Sequence, residues 1–111
     1  MERGIDIGLY TTAATLADKL RQRDESRRAE ATWNMKRLPE GMGKGQTPDR
    51  LFFAYNGFWR GYFLIVPEVL FNPHDTEKPY SLIFDLNSWH EIASMPVAHF
   101  RGFRYLRDMP E

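Results

Sequence analysis

The Asn56-Gly57 dipeptide constrains the fold more than any other feature, because it separates two aromatic-rich segments with strand character. Asn and Gly readily adopt the positive φ angles that a two-residue hairpin turn requires. Leu51 to Tyr55 is therefore predicted to be a strand, and Phe58 to Val66 its antiparallel return strand. Pro67 interrupts the return strand, and Val69 to Phe71 is predicted to be its bent continuation, because proline cannot donate to a ladder.

Other segments also show the composition or alternation of strands. Ile5, Ile7 and Leu9 alternate with Asp6 and Gly8, the period of a half-buried strand. The remaining predicted strands are residues 32–38, 80–86 and 100–106.

One clear helix is predicted between the first two strands. Thr11 or Thr12 can cap it, because a hydroxyl there accepts a hydrogen bond from a free N–H of the first turn. A narrow apolar stripe at helical spacing follows, formed by Ala13, Leu16, Ala17 and Leu20. Residues 21–30 are almost entirely polar and predict either a solvated extension of this helix or a mobile loop. Ser88 to Ile92 is a candidate for a short helical turn.

Length and composition predict a single domain spanning residues 1–111. A chain of this size buries about two-thirds of its unfolded surface, and 42% of its residues are hydrophobic. Six strands and one helix predict an α+β fold, a small mixed and mostly antiparallel β-barrel with one main helix packed beside it. Closure of the sheet is expected because a chain this short must cover its own strand edges.

Several classes of chemistry are disfavoured by what the sequence lacks. There is no cysteine, and the three histidines, at 74, 90 and 99, show no metal-ligand spacing. We therefore predict no bound metal, no covalent nucleophile and no cofactor. Neither a basic-then-apolar leader nor an apolar run near about 20 residues is present, which predicts a soluble, cytoplasmic protein without membrane association.

Charge is balanced overall but unevenly distributed. Residues 32–66 carry five basic and two acidic side chains, whereas residues 67–99 carry one basic and five acidic. The basic excess coincides with the aromatic-rich region and recurs at Arg101, Arg104 and Arg107. A polar binding face and an ordinary solvated mixture of charges both explain this distribution.

Four short motifs, in this order, resemble the PUA-like superfamily, and within it the ASCH and EVE-type domains. They are Trp33-Asn34-Met35-Lys36-Arg37-Leu38-Pro39, Thr47-Pro48-Asp49-Arg50-Leu51-Phe52-Phe53-Ala54-Tyr55, Gly57 with Arg60-Gly61-Tyr62-Phe63, and Phe100-Arg101-Gly102-Phe103-Arg104-Tyr105. The resemblance covers roughly residues 5–106.

The resemblance implies a mixed barrel of five or six strands with a helix beside a cleft that binds RNA, DNA or modified bases. Some ASCH members resemble amidohydrolases that use a lysine, a threonine and a glutamate. Here Arg37 stands where that threonine is expected after Lys36, so the catalytic pattern does not carry over. We therefore assign no catalytic residue.

The first functional hypothesis is a module that binds a single-stranded or modified nucleic-acid element. Its cleft is expected between helix 12–20 and strand 32–38, with Trp33 stacking on a base. Arg37 and Arg60 are expected to meet phosphate, because a planar guanidinium can hold two phosphate oxygens. Lys36 and Arg104 complete the candidate ligand-binding residues; on a strand, only one of Lys36 and Arg37 would face the cleft.

Two alternatives remain open from the sequence. An enzyme acting on a nucleoside or nucleotide would use Lys36 as a base or charge stabiliser, with Glu40 or Glu91 as its partner. A protein-interaction domain would use an exposed strand edge or an aromatic patch. Burial of Lys36 discriminates between binding and catalysis, because a catalytic lysine needs a desolvated pocket and a phosphate contact stays exposed.

Overall fold

The fold is known from a computed structural model that describes residues 3–110. These residues form six strands and one helix. In chain order they are β1 Asp6–Tyr10, α1 Ala13–Asp24, β2 Glu30–Met35, β3 Arg50–Tyr55, β4 Phe58–Phe71, β5 Tyr80–Pro96 and β6 Phe103–Tyr105.

All six strands belong to one mixed sheet with the order β2-β5-β4-β3-β1-β6. Only β1 and β3 pair in parallel, and the other four pairings are antiparallel. The sheet curls into a half-barrel. Within residues 3–110, β2 and β6 form its two edges and do not pair with each other, so the barrel predicted from the sequence remains open on one side.

The hairpin predicted at Asn56-Gly57 is confirmed. Asn56 and Gly57 have φ angles of 51° and 85°, and Tyr55 lies directly opposite Phe58. Positive φ at both central residues is typical of the type I′ turn, whose twist matches that of the flanking strands. The bent continuation predicted at Val69 to Phe71 is confirmed, because β4 continues through Pro67 to Phe71 in a bulge that leaves the proline out of the ladder.

Helix α1 begins where the sequence predicts. Thr12 is its N-cap, and the Thr12 hydroxyl accepts a hydrogen bond of 3.1 Å from the N–H of Thr15. The helix extends into the polar segment as far as Asp24, and Leu16 is its buried anchor. No helix within residues 3–110 combines the length and the apolar character of a membrane span.

The short helical turn predicted at Ser88 to Ile92 is wrong, because these residues belong to β5. The pairing of β4 with β5 is irregular here: Tyr62 lies opposite His90, but Leu64 lies opposite Asp85. The Ser88 hydroxyl accepts the N–H of Leu64 at 2.7 Å and donates to the carbonyl of Asp85 at 2.6 Å. Ser88 thereby satisfies backbone groups inside a bulge, and the chain stays extended instead of turning into a helix.

Both faces of the sheet are covered by apolar side chains, which explains why β3 is buried on both sides. Helix α1 packs over one face, whose buried cluster is Ile7, Leu9, Leu16, Ala31, Met35, Leu51, Phe53, Phe63, Ile65, Leu82, Phe84 and Leu86. The segment after β5 covers part of the other face, whose buried cluster is Phe52, Ala54, Trp59, Phe100 and Met109. The sheet is thus supported from both sides, and the opening between its two edges is where a cleft forms.

Candidate functional site

A cleft of about 700 Å³ lies where the two edges of the half-barrel approach each other. We call it the edge cleft. Its size falls within the range of about 300–1,000 Å³ that is typical of ligand pockets. It is lined by Leu9, Tyr10, Trp33, Asn34, Met35, Lys36, Arg37, Lys78, Arg101, Gly102 and Phe103.

The edge cleft is strongly cationic. Four basic side chains line it, namely Lys36, Arg37, Lys78 and Arg101, and all four are exposed. Within residues 3–110, no Asp or Glu lines it. Because walls of low dielectric focus the field of one sign of charge, this cleft attracts anions although the whole chain has zero net charge.

Lys36 and Arg37 both line the edge cleft, contrary to the expectation that strand alternation would allow only one of them to do so. Strand β2 ends at Met35, whereas the sequence predicted a strand to residue 38. Met35 lies opposite Tyr80, the first residue of β5, so the partner strand begins at this point and offers no ladder beyond it. Lys36 and Arg37 therefore come after the end of the strand, and their side chains do not have to point to opposite faces of the sheet.

Trp33 packs against the core and also lines the edge cleft. It is half-buried, and its ring packs edge-to-face on Phe53 with centroids 5.7 Å apart. The same side chain lines the edge cleft. Packing on Phe53 fixes the indole, so its remaining surface offers a preorganised stacking platform for a planar ligand.

Two of the five predicted ligand-binding residues lie elsewhere. Arg60 lines a separate groove beside α1. Arg104 on β6 places its guanidinium 4.4 Å from the centre of the Phe100 ring and does not line the edge cleft. Phe103, its neighbour on the strand, does line that cleft, and successive side chains of a strand point to opposite faces.

The edge cleft is not where the sequence placed it. It was expected between helix 12–20 and strand 32–38, but within residues 3–110 no residue of α1 lines it. The strand at 30–35 faces β1 and β6 across the opening, because it is the edge strand opposite β6 in the curled sheet. The helix lines the other groove, together with β4 and β5.

Lys78 and Arg101 line the edge cleft but are not among the residues predicted from the sequence. Arg101 belongs to the basic recurrence near the C-terminus, which was a usable signal. Lys78 is the only basic residue of the acidic segment 67–99, so a regional charge count hides it. Its backbone is fixed by Asp75, whose carboxylate accepts the N–H of Lys78 at 2.9 Å and that of Glu77 at 3.0 Å. These hydrogen bonds, that of Lys78 first, lower the pKa of Asp75 below its ordinary 3.8.

The groups proposed for catalysis are not brought together. Lys36 lies exposed at the edge cleft, whereas Glu91 lines the groove beside α1. Glu40 is exposed, and its N–H donates to the hydroxyl of Tyr105 at 2.7 Å. By the criterion of burial, an exposed Lys36 favours a phosphate contact over a catalytic base.

Metal-binding geometry is missing from the part of the chain that the structure describes. No group of three His, Asp or Glu side chains there lies close enough together to hold an ion. No family model, no curated protein and no solved structure matches this chain. The resemblance to PUA-like domains therefore stays a prediction.

Proposed function

We propose that this chain is a binding module for a single-stranded or modified nucleic-acid element, held in the edge cleft. The observation that carries the proposal is the convergence of four exposed cations on one cleft that also presents Trp33. Lysine and arginine meet phosphates, and an aromatic face stacks on bases. A groove that combines both is typical of proteins that bind single strands with little sequence preference.

The cleft presents two kinds of side chain that fit the two parts of a nucleotide. Arg37 and Arg101 each offer a planar guanidinium suited to two phosphate oxygens, and Lys36 and Lys78 add point charges. Trp33, Tyr10 and Phe103 supply the aromatic surface. The resemblance of the sequence to PUA-like domains supports the same ligand class, since it implies binding of RNA, DNA or modified bases.

A second candidate is a protein-interaction domain, favoured by exposed apolar side chains at the end of β4, next to the loop that leads to β5. Leu70 and Phe71 are 55% and 59% exposed there. This function takes precedence if the protein fails to bind nucleic acid.

Fluorescence anisotropy with short labelled RNAs and single-stranded DNAs tests the proposal, with unlabelled modified nucleosides as competitors. Arg101→Ala and Arg104→Ala form a matched pair, because both arginines are exposed and only Arg101 lines the edge cleft. We expect Arg101→Ala to weaken binding and Arg104→Ala to leave it nearly unchanged. Absence of binding by the parent protein, or equal losses in the two variants, would overturn the assignment of the edge cleft.

A further inference from the structure

A second groove, separate from the edge cleft, lies between α1 and strands β4 and β5. We call it the helix groove. Its volume is about 320 Å³, at the lower end of the range for small-molecule sites. Ala13 and Ala17, together with Leu16 and Leu20, form its helical wall. The two alanines lie on the face of α1 that lines the groove, and their small side chains leave the space open.

The opposite wall presents a tryptophan that is fixed in place. The Trp89 ring packs on Phe63 with centroids 4.8 Å apart. It also lies directly over Gly61, where an added Cβ would come within 2.7 Å of the indole. Because Gly61 has no side chain, the indole can lie against β4 while it lines the helix groove. The groove thus has a rigid aromatic surface beside an aliphatic one.

Arg60 is held at the groove by its own neighbours. Its guanidinium lies 4.4 Å from the centre of the Tyr55 ring and 5.2 Å from that of Phe58. Its Nε and Nη2 both donate to the Tyr55 carbonyl at 3.2 Å. Within residues 3–110, Nη1 makes no hydrogen bond, so this end of a preorganised guanidinium remains available to an anion.

A carboxylate lies on the neighbouring strand of the same groove. Trp59 lies opposite Met95 and Gly61 opposite Glu91, so β5 carries two more residues than β4 across this step. This bulge brings Glu91, Ile92 and Ser94 to the groove. Glu91 is exposed and forms no ion pair among the described residues, with Arg60 or with any other cation.

We propose that the helix groove binds a free amino acid with an aromatic side chain. The α-carboxylate is bound by Nη1 of Arg60, and the α-ammonium is bound by Glu91. The ring lies on Trp89, against the aliphatic wall formed by Leu16 and Ala17. One cation and one anion at an aromatic groove match a zwitterion better than they match a nucleotide, whose phosphate Glu91 would repel.

Three related compounds test which charges the groove recognises. L-Phenylalanine carries both charges, phenethylamine lacks the carboxylate, and 3-phenylpropionate lacks the ammonium. Each is titrated at millimolar concentration into the ¹⁵N-labelled protein and followed by two-dimensional NMR. We expect L-phenylalanine to shift the amide signals of Ala13 and Ala17 and the indole N–H signal of Trp89, and to leave the indole N–H of Trp33 in place.

Each analogue is expected to bind roughly tenfold or more weakly than L-phenylalanine, because each leaves one charged partner unpaired. Glu91→Gln should weaken the binding of L-phenylalanine by a similar factor. It should leave the fold intact, since Glu91 is exposed and forms no ion pair among the described residues. Glu68→Gln, on an exposed residue of β4 outside the groove, is the matched control. Ala17→Leu fills the groove and should abolish the shifts while the circular-dichroism spectrum is kept.

The proposal is overturned if L-phenylalanine produces no shift at the groove, or if it shifts the Trp33 indole instead. It is equally overturned if either analogue binds as tightly as the amino acid. Oligonucleotide binding by Glu91→Gln is measured in parallel. Glu91 does not line the edge cleft. If Glu91→Gln loses L-phenylalanine binding but binds oligonucleotides as the parent does, the two sites are separate.

Discussion

Arg50 on β3 holds Asp6 on the adjacent parallel strand β1 through two hydrogen bonds, of 2.8 Å from Nε and 2.6 Å from Nη2. Both side chains are nearly buried, with 8% and 11% of their surface exposed. The remaining nitrogen, Nη1, donates to the carbonyl of Pro110 at 2.9 Å. This pair therefore ties together the one parallel pairing of the sheet and the C-terminal segment. The hydrogen bonds that Arg50 donates to Asp6 raise the pKa of the Arg50 guanidinium.

Arg50→Met is expected to lower the free energy of unfolding by about 3–5 kcal/mol, because it leaves the Asp6 carboxylate buried without a partner. Urea denaturation followed by circular dichroism measures the loss. The double variant Asp6→Leu/Arg50→Met should lose less free energy of unfolding than Arg50→Met alone, since no charge is then left buried. A double variant that is less stable than Arg50→Met would contradict this account.

The sign of the pKa shift predicts no alkaline sensitivity from this pair. A raised pKa means that the stabilisation is fully present below the ordinary pKa of an arginine guanidinium and is lost only as pH rises through the still higher pKa of the folded protein. The stability difference between the parent and Arg50→Met should therefore stay constant from neutral pH to about pH 10. Urea midpoints of both proteins across this range provide the measurement.

Gly61→Ala tests the close approach of β4 and Trp89. An added Cβ would clash with the carbonyl oxygen of His90 and would lie 2.7 Å from the Trp89 indole. We expect a loss of about 1–3 kcal/mol in the free energy of unfolding, as for overpacking of a core, together with a shift of the Trp89 fluorescence. Gly57→Ala is the control, because its φ of 85° imposes backbone strain while no atom lies within 4 Å of the new Cβ. An unchanged Trp89 environment in Gly61→Ala would contradict the contact.

The turn before Lys78 should lose stability in acid. Asp75 accepts the backbone N–H groups of Lys78 and Glu77, and these bonds lower its pKa. Because the pKa is lowered, the stabilisation of the turn by Asp75 is present above the ordinary pKa of 3.8. It is lost as pH falls through the pKa of Asp75 in the folded protein. NMR titration should therefore place the Asp75 pKa below 3.8, with the amide signals of Glu77 and Lys78 moving in the same step. Asp75→Asn should remove this step, and a persistent step would assign it to another group.

The local elements were predictable because their signals are local. Asn56-Gly57 defines the hairpin through its own φ angles, and Thr12 defines the start of α1 through one hydroxyl. The extent of β5 was not predictable, because Ser88 replaces ladder bonds in a bulge that depends on the opposite strand. The end of β2 at Met35 likewise depends on where its partner strand begins, at Tyr80.

The lining of the edge cleft was predicted in part for the same reason. Trp33, Lys36 and Arg37 lie close together in sequence, and the end of β2 at Met35 lets both basic side chains line the same cleft. Lys78 joins them because Tyr80 pairs with Met35 and begins β5 there, and Arg101 joins them because the sheet curls and brings its two edges together. Arg60 was assigned to the same cleft because it belongs to the basic, aromatic-rich segment 32–66, and it lines a different groove.

Arg37→Ala and Trp33→Ala should weaken nucleic-acid binding in different ways. Each neutralised phosphate releases counterions, so loss of Arg37 should weaken binding to many sequences alike and reduce the salt slope by about one unit. Loss of Trp33 should remove about 1–3 kcal/mol of stacking and leave the slope unchanged. Anisotropy titrations between about 50 and 200 mM salt measure both quantities.

The Trp33 variant needs a control for folding, because its ring packs on Phe53 and truncation leaves a cavity. Trp33→Leu retains apolar contact with Phe53 but removes the stacking face, so it should fold and still bind weakly. Thermal melts accompany each titration. If folded Arg37→Ala bound as tightly as the parent across the whole salt range, phosphate would not lie at the end of β2. If Trp33→Leu kept full affinity, the indole would serve the core alone, and the bases would have to stack on Tyr10 or Phe103.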